Sequence, residues 1–360
     1  MSPNRFEAPA KLPELVKSRF NTAKANGDIN FYPTQVAVLT PAAVPFQLRF
    51  SPSLASKPKA PLAPLPSATE PPMKPFNPFE KPPPASIIGT VGDGHTLILN
   101  KFAIVPEHFL IITNSFKKQT NLLEGGDLKA THACIQAYHG EGKELFAFFN
   151  SGGHSGASQP HRHLQLLPVE RMRDGLEGEG GGGGGGGGGA WGVLAEKLAA
   201  AEEEDTGDKV SKESVSLPFR TFSERLTEGM TPLALRSVYL RLYRKACAAV
   251  GSAVAEADGR DVSSLEDEKA EVEAKISYNL AMTRDAMVIC PRVAEGDVVR
   301  DGEGKEVGRL ALNGTVLAGT ALVKSQEEWD ALRGDSGRQL WRILGGIGVR
   351  AGDGVGCGGE

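Results

Sequence analysis

The sequence predicts an α+β fold. Apolar segments that alternate at a period of two come in hairpin-like pairs, and the segments of helical periodicity stand apart from them. A doubly wound parallel sheet needs a helix between successive strands. Here Thr96 to Asn100 with His108 to Thr113, the stretch Leu145 to Leu167, and Ser277 to Thr283 with Met287 to Pro291 each turn back on themselves. With 360 residues, 40% hydrophobic and 23% charged, the chain can bury one large core or two smaller ones. It is read as a single unit, residues 1–360, carrying low-complexity inserts.

Leu12, Leu15, Val16 and Phe20 share one face of a helix that reaches Ala25. Thr34 to Phe50 alternates as strand through Val36, Val38, Phe46, Leu48 and Phe50. Residues 58–84 hold 11 of the 24 prolines, so they run extended, part of them as an insert. Phe76 and Phe79 interrupt that stretch and are expected to dock, because a linker has no need of two aromatics. His108 precedes a core strand and is read as capping or packing, and Asp127 to Tyr138 suits a helix.

Residues 175–212 are read as a disordered insert. Gly180 to Gly189 is unbroken glycine, which loses the most backbone freedom on ordering, and Ala- and Glu-rich residues follow. No preceding strand or P-loop Lys-Ser/Thr makes it a phosphate loop. Residues 213–349 form the C-terminal part. Leu233 to Ala255 is an amphipathic helix with Arg236, Arg241, Arg244 and Lys245 on a solvated face. Trp341 to Val349 makes the last helix.

A net charge of -4 and a pI of 6.1 argue against nucleic acid as a partner. No secretory h-region or long apolar run supports export or membrane insertion. The four cysteines have no C-x-x-C spacing, so the expected compartment is the reducing cytoplasm, with the nucleus as a second location.

One stretch carries chemistry: Asn150 to Leu167. A glycine/serine turn, Ser151 to Ser158, offers backbone N–H groups and hydroxyls suited to an anionic oxygen cluster. If His161 to Leu167 is a strand, His161, His163 and Gln165 line one face while Leu164 and Leu166 point to the core. An exposed hairpin, a zinc site and nucleophilic catalysis on phosphorus all compete for this pattern. Zinc wants a third ligand that the pattern lacks, so no metal site is assigned. A neutral imidazole attacks phosphorus without a separate base.

Ser158-Gln159-Pro160-His161-Arg162-His163-Leu164-Gln165 resembles the S-x-x-H-x-H-x-Q signature of the histidine-triad transferase branch. That branch includes the hexose-1-phosphate uridylyltransferases and the fungal diadenosine tetraphosphate phosphorylases. The flanks Asn100 to Leu110, Leu145 to Gly152, Tyr278 to Thr283 and Cys290-Pro291-Arg292 resemble the phosphorylases. The resemblance implies an antiparallel sheet with packed helices, and phosphorolysis of diadenosine tetraphosphate to ATP and ADP through an AMP-histidine intermediate. His163 is then the nucleophile. His161 orients the loop or bonds a phosphate oxygen, and Gln165 holds the α-phosphate without assisting water. Substrate contacts fall to Lys57, Asn100, Lys101, Asn150, Gly156, Ala157, Ser158, Gln159, Asn313, Gly314, Thr315, Thr320 and Lys324. Thr320 stands where the family usually has methionine. The implied partners are the dinucleotide, inorganic phosphate, ATP and ADP, acting on a monomer. No cofactor is held tightly, and a divalent cation such as Mg2+ accompanies the polyphosphate. The alternatives are a uridylyltransferase, disfavoured by Arg162 between the histidines, and an inactive dinucleotide-binding protein.

Overall fold

The alternation read in the sequence becomes a set of short strands in a computed structural model that describes residues 6–55, 76–176, 191–204, 216–251 and 271–351. In the first half they are β1 (Asn30–Phe31), β2 (Gln35–Leu39), β3 (Phe46–Phe50), β4 (Ile87–Val91), β5 (His95–Leu99), β6 (Phe102–Ala103), β7 (Phe109–Thr113), β8 (Leu145–Ser151) and β9 (His163–Pro168). In the second half they are β10 (Phe222–Arg225), β11 (Ser277–Met282), β12 (Ala286–Arg292), β13 (Gly296–Arg300), β14 (Glu306–Ala311) and β15 (Thr320–Val323).

Eight of them form one antiparallel sheet in the order β10-β12-β11-β8-β9-β7-β5-β4. The β8–β11 pairing, with Phe149 opposite Leu280, carries the sheet across from the first half of the chain to the second. Beside it β15 pairs parallel to β3, which pairs antiparallel to β2. The architecture is α+β.

Alternation decides what each face of the sheet touches. Ala147, Phe149, Leu164, Leu166, Tyr278 and Leu280 point to a core made with the helices Leu12–Asn26, Gly125–Gly140 and Pro232–Val250. Phe146, Phe148, Leu167, Ala281 and Val288 point the other way, into a second core roofed by the helices Leu194–Glu204, Gln326–Gly334 and Arg338–Ile347. Each large apolar side chain so buried contributes roughly 1.5–3 kcal/mol. Among the described residues the second roof stops short of β5 and β7, and there Ile98, Leu110 and Ile112 form a small cluster, with Phe79 and Ile87 packed on it. That gap in the second layer is where a ligand has room.

Three expectations need correction. The insert assigned to residues 175–212 is too long: Leu194–Glu204 is a helix, and Trp191, Val193, Leu194, Ala195 and Leu198 are buried in the second core. Trp191 also donates its indole N–H to the Gly319 carbonyl at 3.0 Å. Its Ala/Glu composition hid an apolar stripe at helical spacing; the glycine run lies outside the described residues. The helix at Pro232–Val250 is capped by the Thr231 hydroxyl, but Arg236 is buried at 5% exposure and does not belong to a solvated face. The docking expected of Phe76 and Phe79 holds for Phe79 alone, since Phe76 is 88% exposed.

Candidate active site

The strand that ends the Leu145 to Leu167 hairpin starts at His163, two residues later than the alternation suggests; His161 makes only an isolated bridge with Lys118. The His163 ring is 4% exposed and lies against Phe79, with ring centroids 5.0 Å apart. Its Nδ1 sits 2.9 Å from the His161 carbonyl oxygen. A carbonyl only accepts, so the proton is on Nδ1 and the lone pair of the neutral ring is on Nε2. Burial pushes the imidazole down to about 4, outweighing the opposing carbonyl bond, so the ring is neutral at physiological pH. No described residue bonds Nε2.

His161 is engaged at both ring nitrogens. Nε2 donates to the Thr113 carbonyl at 2.9 Å, with the Thr113 hydroxyl at 3.0 Å, and Nδ1 accepts from Asn77 Nδ2 at 2.9 Å. Phe79 and Phe116 flank the ring. Of the two roles expected of His161, contact with a phosphate oxygen is therefore closed by protein partners, and orienting the loop remains.

Arg162 points to the opposite side of the strand and is fully buried. Its Nη1 bridges Glu124 at 2.9 Å and Asp127 at 2.8 Å, and Asp127 also bonds His95 at 2.8 Å. Burial raises the Asp127 carboxyl, but the His95 hydrogen bond and the Arg162 charge outweigh it and hold the group at about 2. Glu124 and Asp127 form the capping box of the Gly125–Gly140 helix, so the histidine segment is tied to a helix N-terminus.

The gap above β5, β7 and β9 is a cavity of about 190 Å³. Six of the expected residues line it: Asn100, Lys101, Ser158, Gln159, His163 and Gln165, beside Phe79, Phe102, Ile98 and Leu110. His108, read as a capping or packing residue, sits behind this wall. It accepts from Asn100 Nδ2 at 3.1 Å, and burial, only partly opposed by a hydrogen bond to Gln165, pushes its ring to about 4. It links Asn100 to Gln165.

A second group gathers on the other side of the glycine/serine turn. Asn150 is buried, and its Oδ1 accepts from Gly314 N at 2.8 Å and from Asn279 Nδ2 at 2.9 Å. Asn279 also donates to the Ser155 carbonyl and accepts from Arg292. Asn150 thus joins strand, turn and the Asn313-Gly314-Thr315 corner. Asn313 Oδ1 caps that corner by accepting from Thr315 N at 3.0 Å. Gly314 leaves no room for a side chain, since a Cβ there would stand 2.7 Å from Phe148. Gly156, at φ +76, lies against Asn313, and Ala157 is exposed on the turn. Thr320 is buried near Gln47, 3.4 Å between side-chain oxygens. Lys324 is exposed where β15 ends, and Lys57 lies outside the described residues. No group of three or more His, Cys, Asp or Glu among the described residues could hold a metal, and none of the described helices is long and apolar enough to cross a membrane.

A family model described as the Ap4A phosphorylase N-terminal domain matches residues 2–177, and one described as the ATP adenylyltransferase C-terminal domain matches residues 215–350. Protein APA1 of Saccharomyces cerevisiae is 31% identical over 165 residues, 45% of this chain and 50% of the relative. Diadenosine 5',5'''-P1,P4-tetraphosphate phosphorylase 2 of the same yeast is 31% identical over 169 residues, 44% and 50% of the two chains. The chain matches about half the length of these curated relatives. The crystal structure of yeast Ap4A phosphorylase Apa2 superposes with a TM-score of 0.67 at 21% identity, over 95% of this chain and 98% of that one. Its complex with Ap4A gives 0.65 at 21% identity over the same shares, so the likeness is one of fold.

Proposed function

The chain belongs to the Ap4A phosphorylase family, and from that premise we propose that it cleaves diadenosine tetraphosphate with inorganic phosphate, giving ATP and ADP through an AMP-histidine intermediate. The observation that carries this reading is the Nδ1 bond of His163 to the His161 carbonyl, which leaves an Nε2 lone pair on a neutral ring that lines the cavity.

In the first step Nε2 attacks the α-phosphorus; the bond to the bridging oxygen breaks, and ATP leaves. In the second step a phosphate oxygen attacks the same phosphorus, the P–N bond breaks, and ADP leaves with His163 neutral again. Splitting one displacement into two lowers each barrier and gives ping-pong kinetics. Gln165 supports the transfer over hydrolysis, because an amide can hold an oxygen but cannot accept a proton from water. Lys101, which lines the cavity, and Lys324, by the family resemblance, are assigned to the polyphosphate. A divalent cation such as Mg2+ would arrive on the polyphosphate. Nucleotides and phosphate are the proposed partners.

The test is to incubate the protein with diadenosine tetraphosphate with and without phosphate and chromatograph the products. Without phosphate a burst of ATP, equal at most to the enzyme present, is expected; with phosphate, equal ATP and ADP accumulate. Steady production of AMP in place of ADP would make the protein a hydrolase.

A further inference from the structure

β8 and β9 pair from Leu145 opposite Pro168 to Phe148 opposite Gln165. Continuing that register sets Asn150 opposite His163, yet the direct pairing stops first. The carboxamide of Gln119, a residue only 3% exposed, occupies the opening. Its Oε1 accepts from the His163 backbone N–H at 2.8 Å. Its Nε2 donates to the Asn150 carbonyl at 2.9 Å and to the His163 carbonyl at 3.1 Å. An amide has two donors, and both are used; turning it over would face donor to donor and acceptor to acceptors, so the chemistry of the partners fixes its orientation.

Gln119 is itself held. Its backbone N–H donates to the Pro160 carbonyl at 2.8 Å, Arg162 N donates to the Lys117 carbonyl at 2.8 Å, and Lys118 bridges His161. Residues 117–119 therefore lie along 160–162 like a short extra strand, and one side chain reaches on to the nucleophile's backbone.

We propose that Gln119 is a positioning residue for His163: it stands in for the missing strand pairing and holds the backbone from which the imidazole is aimed. The ring bonds to a carbonyl only two residues back, so it points correctly only while residues 161–163 keep their shape. Direct pairing of Asn150 with His163 would close the hairpin where the glycine/serine turn must open around the α-phosphate. The amide wedge permits both a fixed histidine and an open turn. This inference rests on His163 being the nucleophile; the wedge itself does not.

Two variants test it. Gln119→Met keeps the volume and removes all three bonds; Gln119→Glu keeps the acceptor for the His163 N–H and removes both donors. The rate of AMP transfer to the protein at saturating diadenosine tetraphosphate is expected to fall by about 10²-fold in Gln119→Met, the scale of a small misplacement of a reacting group. Gln119→Glu is expected to lie between it and the unaltered protein, and KM is expected to stay nearly the same in both. An unchanged rate in folded protein, or a raised KM with the rate intact, overturns the proposal; if Gln119→Met does not fold, Gln119→Glu alone decides by the same criteria. A readout without substrate keeps this separate from the proposed activity. The Nδ1-bound proton of His163, followed in a 15N–1H spectrum, should be protected from exchange in the unaltered protein and exposed in the folded variants. Equal protection overturns the proposal even if the protein forms no AMP adduct.

Discussion

At the residue scale the division of labour follows from hydrogen-bond capacity. His161 has both ring nitrogens bonded to Thr113 and Asn77, whereas among the described residues His163 has one nitrogen bonded and one with a free lone pair. The proposed function makes Gln165 the residue whose chemistry selects the acceptor. Replacing Gln165 with histidine puts a proton acceptor beside the adenylyl group, so release of AMP to water should rise relative to release of ADP to phosphate. General base assistance is worth about 10²–10⁴-fold, enough to detect through an imperfect placement. The ratio of AMP to ADP at fixed phosphate is the quantity to measure, because a shared binding defect cancels from it. A ratio that does not rise would make Gln165 a positioning residue only. The histidine pattern was legible because period-two spacing puts residues on one face whatever the rest of the fold does. Gln119 and His108 were not, because one acts through a contact 44 residues away and the other by bonding Asn100 across a strand turn.

At the element scale, strands and helices were read well where apolar spacing was clear, as in Pro232–Val250 and the β11–β12 hairpin. Failure came where composition outweighed spacing. The helix Leu194–Glu204 follows a glycine run and is rich in alanine and glutamate, yet Leu194 is 2% and Leu198 7% exposed. Leu194→Ala should therefore cost about 2–5 kcal/mol, as removal of a buried leucine does, measured by denaturant unfolding. A dispensable insert would show no change. Buried Arg236 was missed for a related reason, since charge on a helix face is ordinarily solvated and only tertiary packing overrides it.

On the scale of the whole molecule, one continuous sheet carries the site, with a layer of helices behind it and a second layer that, among the described residues, stops short over β5 and β7. Burial holds several imidazoles neutral. His108, His132 and His163 are each pushed by burial from 6.5 to about 4. Between those pH values the unfolded chain takes up protons that the folded chain refuses, so stability present above pH 6.5 is lost as pH falls toward 4. The loss amounts to roughly 3 kcal/mol for each of the fully buried rings His108 and His163. Asp127, held at about 2, extends the loss below its ordinary 3.8. The melting temperature should accordingly fall through this acid range, and a flat profile between pH 6.5 and 4 would show that these rings protonate within the fold.

The proposed function rests on His163 Nε2 carrying the nucleotide. Its most direct test is to quench the protein with diadenosine tetraphosphate in the absence of phosphate and locate the AMP by mass spectrometry of peptides. One AMP is expected on the peptide holding His163, absent in His163→Ala, retained at a reduced level in His161→Ala, and converted to ADP when phosphate is added before the quench. AMP on any other residue, or an adduct that persists in His163→Ala, would contradict it.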